Sequence, residues 1–409
     1  MRVAALGREL SRRHEVRHLT FVAGPCRRGR SLFRVPVTDS QSEYRRAHPL
    51  SWLALGASSR CWHGAPLLSG LGMQVSGATA IAPLFRWADL VMVEYPWQFR
   101  VSRRITPPAT PCVYSSVNVE TDKFRSWAEA IEVAPAVVAP WLLYIERAER
   151  HAIARADLVT TVSELDRETY IARFGADPDR TVVVPNGVDT KHFRPASPER
   201  RAAAKRELGL SDRPVVLFQA ADMPANRAGL GWIRRLAAAN ERFTFLVAGS
   251  VAAPERAGGL VAVGRVPDMR PYLDAADIGI CPIAHGGGTK LKLLECMAAG
   301  LPNVAFAEAI RGTAVRPGEH VLVVDHDARE LLDALDALTN DPRRAASMGN
   351  AGRALVERSY DWAGIAAGLE RALVALTPDR SGAIRADRPA DLPGQDGRVL
   401  EESERTLIQ

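Results

Sequence analysis

The residues most able to do chemistry lie between His285 and Gly300, in the run HGGGTKLKLLECMAAG. Three glycines and a threonine open this run, and Lys290, Lys292 and Glu295 follow on a stretch with helical periodicity. Glycines let backbone N–H groups approach phosphate oxygens closely, and a helix start adds unpaired N–H donors and the positive end of its dipole. The run therefore predicts a site that holds a nucleotide diphosphate.

The rarity of lysine makes the placement of these two side chains informative. The chain has five lysines in all: Lys123, Lys191, Lys205, Lys290 and Lys292. Lys292 and Glu295 are three residues apart, so they project on the same side of a helix. An alternative interpretation is an i,i+3 ion pair with Thr289 as the helix N-cap. We favour an anion site because a cap needs one residue, whereas three consecutive glycines precede this one.

The elements that must position this run follow an alternating pattern. Short apolar β-branched stretches alternate with amphipathic stretches, which predicts doubly wound parallel sheets. The pattern occurs twice, in residues 1–190 and 191–360. In the first part, strands are predicted at Val16–Val22, Leu90–Val93, Cys112–Ser115, Leu158–Val162 and Thr181–Val184. In the second part, strands are predicted at Val215–Gln219, Phe243–Ala248, Leu260–Val263, Ile278–Cys281, Asn303–Phe306 and His320–Val324.

The ends of the chain depart from this pattern. A doubly wound domain should open with a strand and a Gly-rich turn, but Arg2–Arg13 already has the pattern of a helix. We therefore expect the first strand of the N-terminal domain to be missing. Residues 361–376 predict a C-terminal helix that returns to the N-terminal domain. Residues 377–409 are rich in Pro, Gly, Asp and Arg with little periodicity, which predicts a disordered tail.

Composition excludes several classes of protein. The net charge of +6 arises mainly in residues 1–50, where eleven arginines face four acidic residues. We favour a solvated surface for these charges, with contact to a membrane second. The five cysteines are far apart and lack a C-x-x-C pair, so neither a disulfide framework nor a zinc site is indicated. The most apolar helical stretch, 134–145, is shorter than the roughly 20 residues needed to span a bilayer.

Several motifs together resemble a known family. The block GGGTKLKLLECMAAGLPNV, preceded by GRVPDMRPYLDAADIGICPI, resembles the nucleotide-binding core of retaining GT-B glycosyltransferases of glycosyltransferase family four, group 1. Further matches are VNVETDKF, RADLVTTVSELDRETYIARFG, VVVPNGVDTKHFRP and PGEHVLVVD, in the family's order. The resemblance implies two Rossmann-like domains that face each other across a cleft. It also implies a nucleotide-sugar donor on the C-terminal domain and an acceptor on the N-terminal one.

The resemblance implies a role for individual residues of the donor site. Glu295 matches the glutamate that accepts hydrogen bonds from the donor ribose, and Lys292 matches the lysine that faces the diphosphate. Val266 falls where members of the family contact the base through backbone atoms. Backbone N–H groups toward the phosphates or the sugar are expected from Gly287, Gly288 and Thr289.

The sugar and acceptor side departs from the family pattern. Asn118 and Glu120 match residues of this side, but Val117 replaces the histidine that usually precedes them. His285 does not substitute for it, because a lone histidine before a glycine run is more often a loop residue. No catalytic acid or base is therefore assigned.

Two further departures concern side chains near the expected cleft, where two aromatic residues are also candidates. Relatives carry Arg and Lys after the first strand of the C-terminal domain, whereas this chain reads QAAD from Gln219 to Asp222, with Arg227 as a partial replacement. Arg311 stands where an acidic residue is common. Trp97 and Phe99 follow a strand and either line the acceptor cleft or pack in the core.

The leading hypothesis is a retaining glycosyltransferase that moves a sugar from a nucleotide diphosphate to a glycan, a lipid-linked glycan or a small molecule. We expect no cofactor and no metal ion, since no cluster of acidic residues is apparent. The expected location is the cytoplasm, with peripheral contact at the inner face of the membrane as an extension. The alternative is a degenerate GT-B protein that binds a nucleotide or a partner without catalysis. An epimerase ranks third, and nucleic-acid binding ranks below it.

Overall fold

The computed structural model describes residues 2–22, 32–47, 78–130, 132–285 and 288–377. We call the residues up to 190 the first half and those from 191 the second half. The strands of the first half are β1 (Val16–Val22), β2 (Leu32–Thr38), β3 (Gln41–Ala47), β4 (Val91–Val93), β5 (Cys112–Ser115), β6 (Leu158–Thr161) and β7 (Thr181–Val183). Its helices are α1 (Arg2–Leu10), α2 (Ala78–Trp87), α3 (Pro96–Ile105), α4 (Glu120–Ala130), α5 (Pro135–Arg155) and α6 (Glu164–Phe174).

The second half carries the larger sheet. Its strands are β8 (Val215–Gln219), β9 (Thr244–Ala248), β10 (Glu255–Ala257), β11 (Leu260–Gly264), β12 (Ile278–Cys281), β13 (Asn303–Phe306) and β14 (Leu322–Val324). Its helices are α7 (Pro198–Glu207), α8 (Pro224–Ala239), α9 (Arg270–Ala275), α10 (Leu291–Ala298), α11 (Ala307–Ile310), α12 (Ala328–Asn340), α13 (Pro342–Ser359) and α14 (Trp362–Ala375). The strand order is β10-β11-β9-β8-β12-β13-β14, and only the β10–β11 pair is antiparallel.

The predicted strands are confirmed, with shifts of one or two residues at some ends. The bounds of β1, β5, β8, β12 and β13 agree with the sequence prediction. The hairpin of β2 and β3 is absent from the prediction, because β3 is mostly polar or charged and β2 contains an arginine and a proline. The short edge strand β10 was missed for the same reason.

The strands of the first half form two separate sheets. One has the order β1-β3-β2 and the other β4-β5-β6-β7. β1 is parallel to β3 and β4 is parallel to β5, so each has one edge without a strand neighbour in the described part of the chain. Between these edges lies a cavity of about 790 Å³, lined by residues 16–20 of β1 and by residues 90–95 along β4.

The last helix of the described chain packs on the first half. Leu6 of α1 is buried beside Trp362, Ile365 and Leu369 of α14. Glu370 also accepts hydrogen bonds from Arg13 and His14. α14 therefore shares a core with α1. Among the described helices, none is long and apolar enough to cross a membrane.

The core of the second half fixes the position of α10. Leu293, Leu294 and Met297 are buried in the main apolar cluster of this half. Close approach of α10 to the sheet requires a glycine in β12, because a Cβ at Gly279 would lie 2.9 Å from the Cβ of Cys296. Since β8 and β12 are parallel, the end of each strand reaches the same edge of the sheet as the start of α10. This edge carries the candidate site.

Candidate nucleotide-sugar site

Lys292 projects from the first turn of α10 into a largely desolvated position. Its Nζ donates a hydrogen bond to Oδ1 of Asn226 and lies 5.3 Å from the centre of the Phe218 ring. Burial lowers the pKa of Lys292, while the acidic groups of Cys281 and Glu295 oppose this shift. A buried ammonium whose bonded partner is neutral favours the approach of an anion.

Glu295 lies one turn further along α10 and is held by a glutamine. Gln219, at the end of β8, donates its Nε2 hydrogen bonds to Oε2 of Glu295 at 2.9 Å and to the backbone carbonyl of Lys292 at 2.8 Å. Burial raises the pKa of Glu295 to about 7, against the lowering effects of Gln219 and Lys292. The alternative i,i+3 ion pair between Lys292 and Glu295 is absent from the described residues, since each side chain bonds to another partner.

The glycine loop before α10 meets the first half of the chain. Gly288 has a φ of +72°, and a Cβ there would lie 2.6 Å from Oδ1 of Asn118. Glycine is therefore required both by the left-handed backbone and by the approach of Asn118. Gly287, expected to offer an N–H group, lies outside the described residues.

The residues just before α10 do not form the cap that the alternative interpretation requires. Lys290 is the N-cap, and α10 has no side-chain cap hydrogen bond. Thr289 precedes it, and its backbone carbonyl accepts from the N–H of Leu291 at 3.1 Å. Nζ of Lys290 donates to the carbonyl of Gly288 at 3.0 Å. The ammonium of Lys290 therefore lies next to the glycine loop, beside the start of α10.

Val266 lies at the same edge of the sheet as α10. It follows β11, which ends at Gly264, and is half-buried. β11 is separated from β8 by β9 alone, and the three strands are parallel. The loop after β11 therefore borders the site from the side away from α10.

Asn118 lies in the facing loop between β5 and α4, and Glu120 is the first residue of α4. Nδ2 of Asn118 donates to Oε1 of Glu120 at 3.1 Å, and Nζ of Lys123 donates to the other oxygen of Glu120 at 3.4 Å. Because Asn118 also faces Gly288, the structure brings this loop against the donor loop. The predicted residues of the two halves thus meet across one cleft.

Glu149 of α5 supports this loop and was not predicted from the sequence. Its side chain is fully buried and accepts hydrogen bonds from the backbone N–H groups of Glu120 at 2.7 Å and Thr121 at 3.1 Å. It also accepts from the hydroxyl of Tyr170 at 3.0 Å and from that of Thr121. Burial raises the pKa of Glu149 to about 7. This carboxylate therefore caps the start of α4.

Tyr170 extends the support to Asn118 itself. Its hydroxyl and that of Ser116 both lie within bonding distance of the carbonyl oxygen of Asn118, at 3.1 and 2.6 Å. The sequence holds one signal for this network. Glu149 falls on the apolar face of α5 with Ile145 and Ala152, at helical spacing, and an acid there needs buried partners.

The structure gives the exposure and the contacts of the residues that depart from the family pattern. His285 is exposed and Val117 is half-buried. Arg311 lies near Asp166 of the first half, whose pKa is raised by burial and lowered by Ser163 and by this arginine. Arg227 is exposed and paired with Asp222 at 2.6 Å.

The two aromatic residues after β4 separate into different roles. Phe99 is fully buried against Tyr114 and belongs to the core, so it does not line the cleft. Trp97 is half-exposed and stacks on Tyr95 with ring centres 4.9 Å apart. The sequence alone could not assign Trp97 and Phe99 to the cleft or to the core. The packing of α3 on the sheet decides which of the two side chains points inward.

Two family models match the chain. Residues 1–192 match the model for Glycosyltransferase Family 4, and residues 213–341 match the model for Glycosyl transferases group 1. The second match contains Lys292, Glu295, Gln219 and Val266. The first contains Asn118, Glu120 and Glu149.

Named relatives agree with these models over part of their length. The chain is 30% identical over 225 residues to a GDP-mannose-dependent monoacylated alpha-(1-6)-phosphatidylinositol monomannoside mannosyltransferase of Corynebacterium glutamicum, a match covering 50% of this chain and 59% of that protein. It is 33% identical over 222 residues to a D-inositol 3-phosphate glycosyltransferase of Acidothermus cellulolyticus, covering 48% of this chain and 49% of that one. The matches thus span only about half the length of these curated relatives.

A solved structure shares the overall architecture. Sucrose-phosphate synthase from Thermosynechococcus elongatus superposes with a TM-score of 0.65 at 19% identity, over 92% of both chains. This likeness confirms the predicted fold of two α/β units facing a cleft. By its two family models and its architecture, the chain belongs to the group 1, family 4 glycosyltransferases and has their GT-B fold.

Proposed function

We propose that this protein transfers a sugar from a nucleotide diphosphate donor to an acceptor. The observation that carries the proposal is the arrangement of Lys292 and Glu295 on α10, each held by a side chain from the region of β8. Asn226 and Gln219 keep the ammonium and the carboxylate at fixed positions on one edge of the sheet. The ammonium of Lys292 suits a diphosphate, and the carboxylate of Glu295 suits the hydroxyl groups of a ribose.

Lys292 is proposed to face the diphosphate. Cleavage of the bond between the sugar and the phosphate leaves additional negative charge on the leaving diphosphate. A desolvated ammonium stabilises that charge more strongly than one in water, because the local dielectric constant is low. Lys290, beside the same loop, and the N–H groups before α10 add to this effect. We propose that these groups suffice without a metal ion.

Glu295 is proposed to accept hydrogen bonds from the ribose hydroxyls. One carboxylate oxygen, Oε2, already accepts from Gln219, and Oε1 accepts no hydrogen bond from the residues that the structure describes, so it is available to a ligand hydroxyl. Val266, at the far side of the site, is proposed to contact the base through its backbone. These two contacts recognise the ribose and the base of the nucleotide, and neither involves the sugar that is transferred.

The acceptor is proposed to bind beside Asn118 and Glu120, with retention of the anomeric configuration. In a front-face displacement, the acceptor oxygen bonds to the anomeric carbon on the face from which the phosphate leaves. The leaving phosphate oxygen takes the acceptor proton. This route fits the family resemblance and needs no protein base at the position of Val117.

The donor and the acceptor remain to be identified by experiment. The names of the two relatives include GDP-mannose, a phosphatidylinositol mannoside and an inositol phosphate. We propose a glycan, a lipid-linked glycan or a small molecule as acceptor. We also propose a cytoplasmic location with contact at the inner face of the membrane.

A binding protein without catalysis is the second candidate. Val117 in place of the usual histidine and the interrupted sheet of the first half favour it. The two candidates differ in turnover: a transferase releases nucleotide diphosphate from its sugar donor, including slow release to water, whereas a binding protein does not.

Calorimetry with GDP, UDP and dTDP tests the donor site. We expect saturable binding of one of these nucleotides, weakened about 10–100-fold in Lys292→Ala, because a hydrogen bond to a charged group contributes roughly 1.5–3 kcal/mol. Lys191→Ala is the matched control, since this lysine is exposed and donates to Asp189 through its backbone N–H, which the substitution keeps. Absence of binding to all three nucleotides contradicts the proposal. Release of the diphosphate from the corresponding sugar nucleotides then separates a transferase from a binding protein.

A further inference from the structure

The first half of α5 exposes apolar side chains to solvent. Val137 and Leu143 are each 49% exposed, which is unusual for large apolar residues of a folded domain. Ala136 and Pro140 are also exposed on the same helix. Ala136, Pro140 and Leu143 follow the i, i+4, i+7 spacing of a single helix face. The helix thus presents an apolar stripe that no described residue covers.

The second half of α5 forms a cationic cluster with α3. Five basic side chains surround a cleft of about 430 Å³ between the two helices: Arg100, Arg103, Arg104, His151 and Arg155. α3 contains no acidic residue. Within the described chain, none of these four arginines forms an ion pair. The pKa of His151 is lowered first by burial and then by the charges of Arg100 and Arg155. Positive charge is therefore concentrated here without compensation.

The apolar stripe and the cationic cluster follow one another along the same helix. α5 has 21 residues, which corresponds to a length of about 30 Å at 1.5 Å per residue. Val137 and Arg155 are 18 residues apart, a whole number of helical turns, so they point in the same direction. Leu143 lies about 120° around the helix from them, and Ala136 and Pro140 lie between. A surface that contacts this arc of about 120° along α5 therefore meets both features.

The orientation of α5 connects this surface to the acceptor side. α5 ends at Arg155, just before β6 begins at Leu158. Its apolar start therefore lies toward the opposite edge of this parallel sheet, where β5 ends and the loop with Asn118 begins. The cationic cluster lies at the far edge, away from the cleft.

Two simpler explanations account for only part of these observations. Arginines in the last turn of a helix interact favourably with its dipole, which suits Arg103, Arg104 and Arg155. That effect does not explain the exposure of Val137 and Leu143. Binding of a polyanion such as nucleic acid would use the cations but not an aliphatic stripe, since such proteins stack bases on aromatic side chains.

We propose that this α3–α5 surface docks on a bilayer that contains anionic phospholipid. The cationic cluster binds the phosphate headgroups, and Val137 and Leu143 enter the boundary between headgroups and acyl chains. α5 then lies in the plane of the interface with the acceptor cleft at the level of the membrane. This docking rests on the membrane contact proposed above and assigns it to one surface; it does not depend on sugar transfer, so it can fail while the nucleotide-binding test succeeds.

Sedimentation of the full chain with vesicles tests the proposal. Vesicles of phosphatidylcholine alone are compared with vesicles that also contain phosphatidylglycerol. We expect binding to the anionic vesicles that weakens with added salt. The quadruple variant R100Q/R103Q/R104Q/R155Q should lose roughly tenfold or more in affinity, because each basic residue near an anionic surface contributes measurably. V137S/L143S should also weaken binding, through the lost apolar insertion.

The matched control is R194Q/R206Q/R343Q/R344Q, which removes the same charge from exposed positions elsewhere. It should retain binding to the anionic vesicles. Circular dichroism melts establish that each variant is folded. Three results overturn the proposal: no binding of the natural chain to anionic vesicles, equal weakening in the cluster and control variants, or unchanged binding in V137S/L143S. Binding to heparin without binding to vesicles also overturns it, by assigning the cluster to a soluble polyanion.

Discussion

The two halves of the chain hold their site residues by different means. In the second half, β8 pairs on both sides and all five of its residues are buried, so Gln219 at its end is fixed by the sheet. In the first half, the one described strand that pairs with β4 is β5, and β4 is partly exposed beside a cavity of about 790 Å³. There the loop with Asn118 depends on Glu149, a buried carboxylate from a helix. A continuous sheet positions the proposed donor site, whereas a polar network positions the proposed acceptor side.

The largest effect is expected from removing that network. Glu149→Leu leaves the N–H groups of Glu120 and Thr121 and the hydroxyl of Tyr170 without their buried acceptor. We expect the free energy of unfolding to fall by about 3–5 kcal/mol, because each unsatisfied buried donor costs roughly 1–3 kcal/mol. Chemical denaturation measures this change.

Glu146→Gln is the control on the same helix, since Glu146 pairs only with the exposed Arg150. Its effect should stay below about 0.5 kcal/mol, as for other pairs of this kind. Similar losses in the two variants would show that the loop does not depend on Glu149.

Hydrogen exchange compares the two sheets directly. The N–H of Val91 donates to the carbonyl of Pro111, so the N–H of the next residue, Met92, points to the opposite edge of β4, toward the cavity. Leu217 of β8 lies between β9 and β12. We expect the opening free energy of the Met92 amide to be lower than that of Leu217 by about 2–4 kcal/mol. Equal protection of the two amides would mean that the edge of β4 is paired after all, and the contrast between the halves would fail.

The sequence predicted the scaffold better than the site. Strands such as Ile278–Cys281 and Asn303–Phe306 are buried on both faces, and their apolar runs identify them. Lys292 and Glu295 were found because glycines, charges and helical spacing occur within one short segment. Asn226 and Gln219 were not assigned as their partners, because a hydrogen bond between residues 66 or 76 positions apart leaves no local pattern.

Glu149 shows why the acceptor side was harder to predict. The backbone N–H of Glu120, from which it accepts a hydrogen bond, lies 29 residues earlier in the chain. The role of Glu149 depends on the packing of α5 against α4 and on a hydrogen bond from Tyr170. Neither contact can be predicted from residue spacing in the sequence. Phe99 illustrates the same limit, since its inward direction is set by the packing of α3.

Glu149 in the first half and Glu295 in the second allow the two halves to be compared through the dependence of stability on pH. Burial raises the pKa of Glu149 and of Glu295 to about 7 from an ordinary value of 4.5. Between these values the folded chain keeps protons that the unfolded chain releases, so the free energy of unfolding falls as the pH rises through this window. We expect each group to account for about 1–3 kcal/mol of this loss.

The corresponding glutamine variants separate the two contributions. Glu149→Gln and Glu295→Gln should each flatten the dependence of stability on pH between about 4.5 and 7. Nucleotide affinity should weaken as the pH falls from 8 to 6, since a protonated Glu295 accepts fewer hydrogen bonds from the ribose. Glu295→Gln should abolish this second dependence, whereas Glu149→Gln should leave it unchanged. If Glu149→Gln alters the pH dependence of nucleotide affinity, the donor site is not independent of the first half.

The smallest expected effect concerns the single point at which the two loops touch. Gly288→Ala places a side chain at a φ of +72° and 2.6 Å from Oδ1 of Asn118. Gly175 has the same φ but open space around it, so Gly175→Ala reports the backbone strain alone. We expect both variants to lose about 1 kcal/mol from the backbone, and Gly288→Ala to lose about 1 kcal/mol more from the displaced contact.

Adding Asn118→Gly to Gly288→Ala should recover the second part of this loss and not the first. Thermal unfolding of the three variants measures the difference, which isolates the energy of contact between the donor loop and the acceptor loop. Should Gly288→Ala cost no more than Gly175→Ala, the halves move apart at this point without penalty. The sheet of the second half would then hold the donor site alone, and the Glu149 network would serve only the acceptor side.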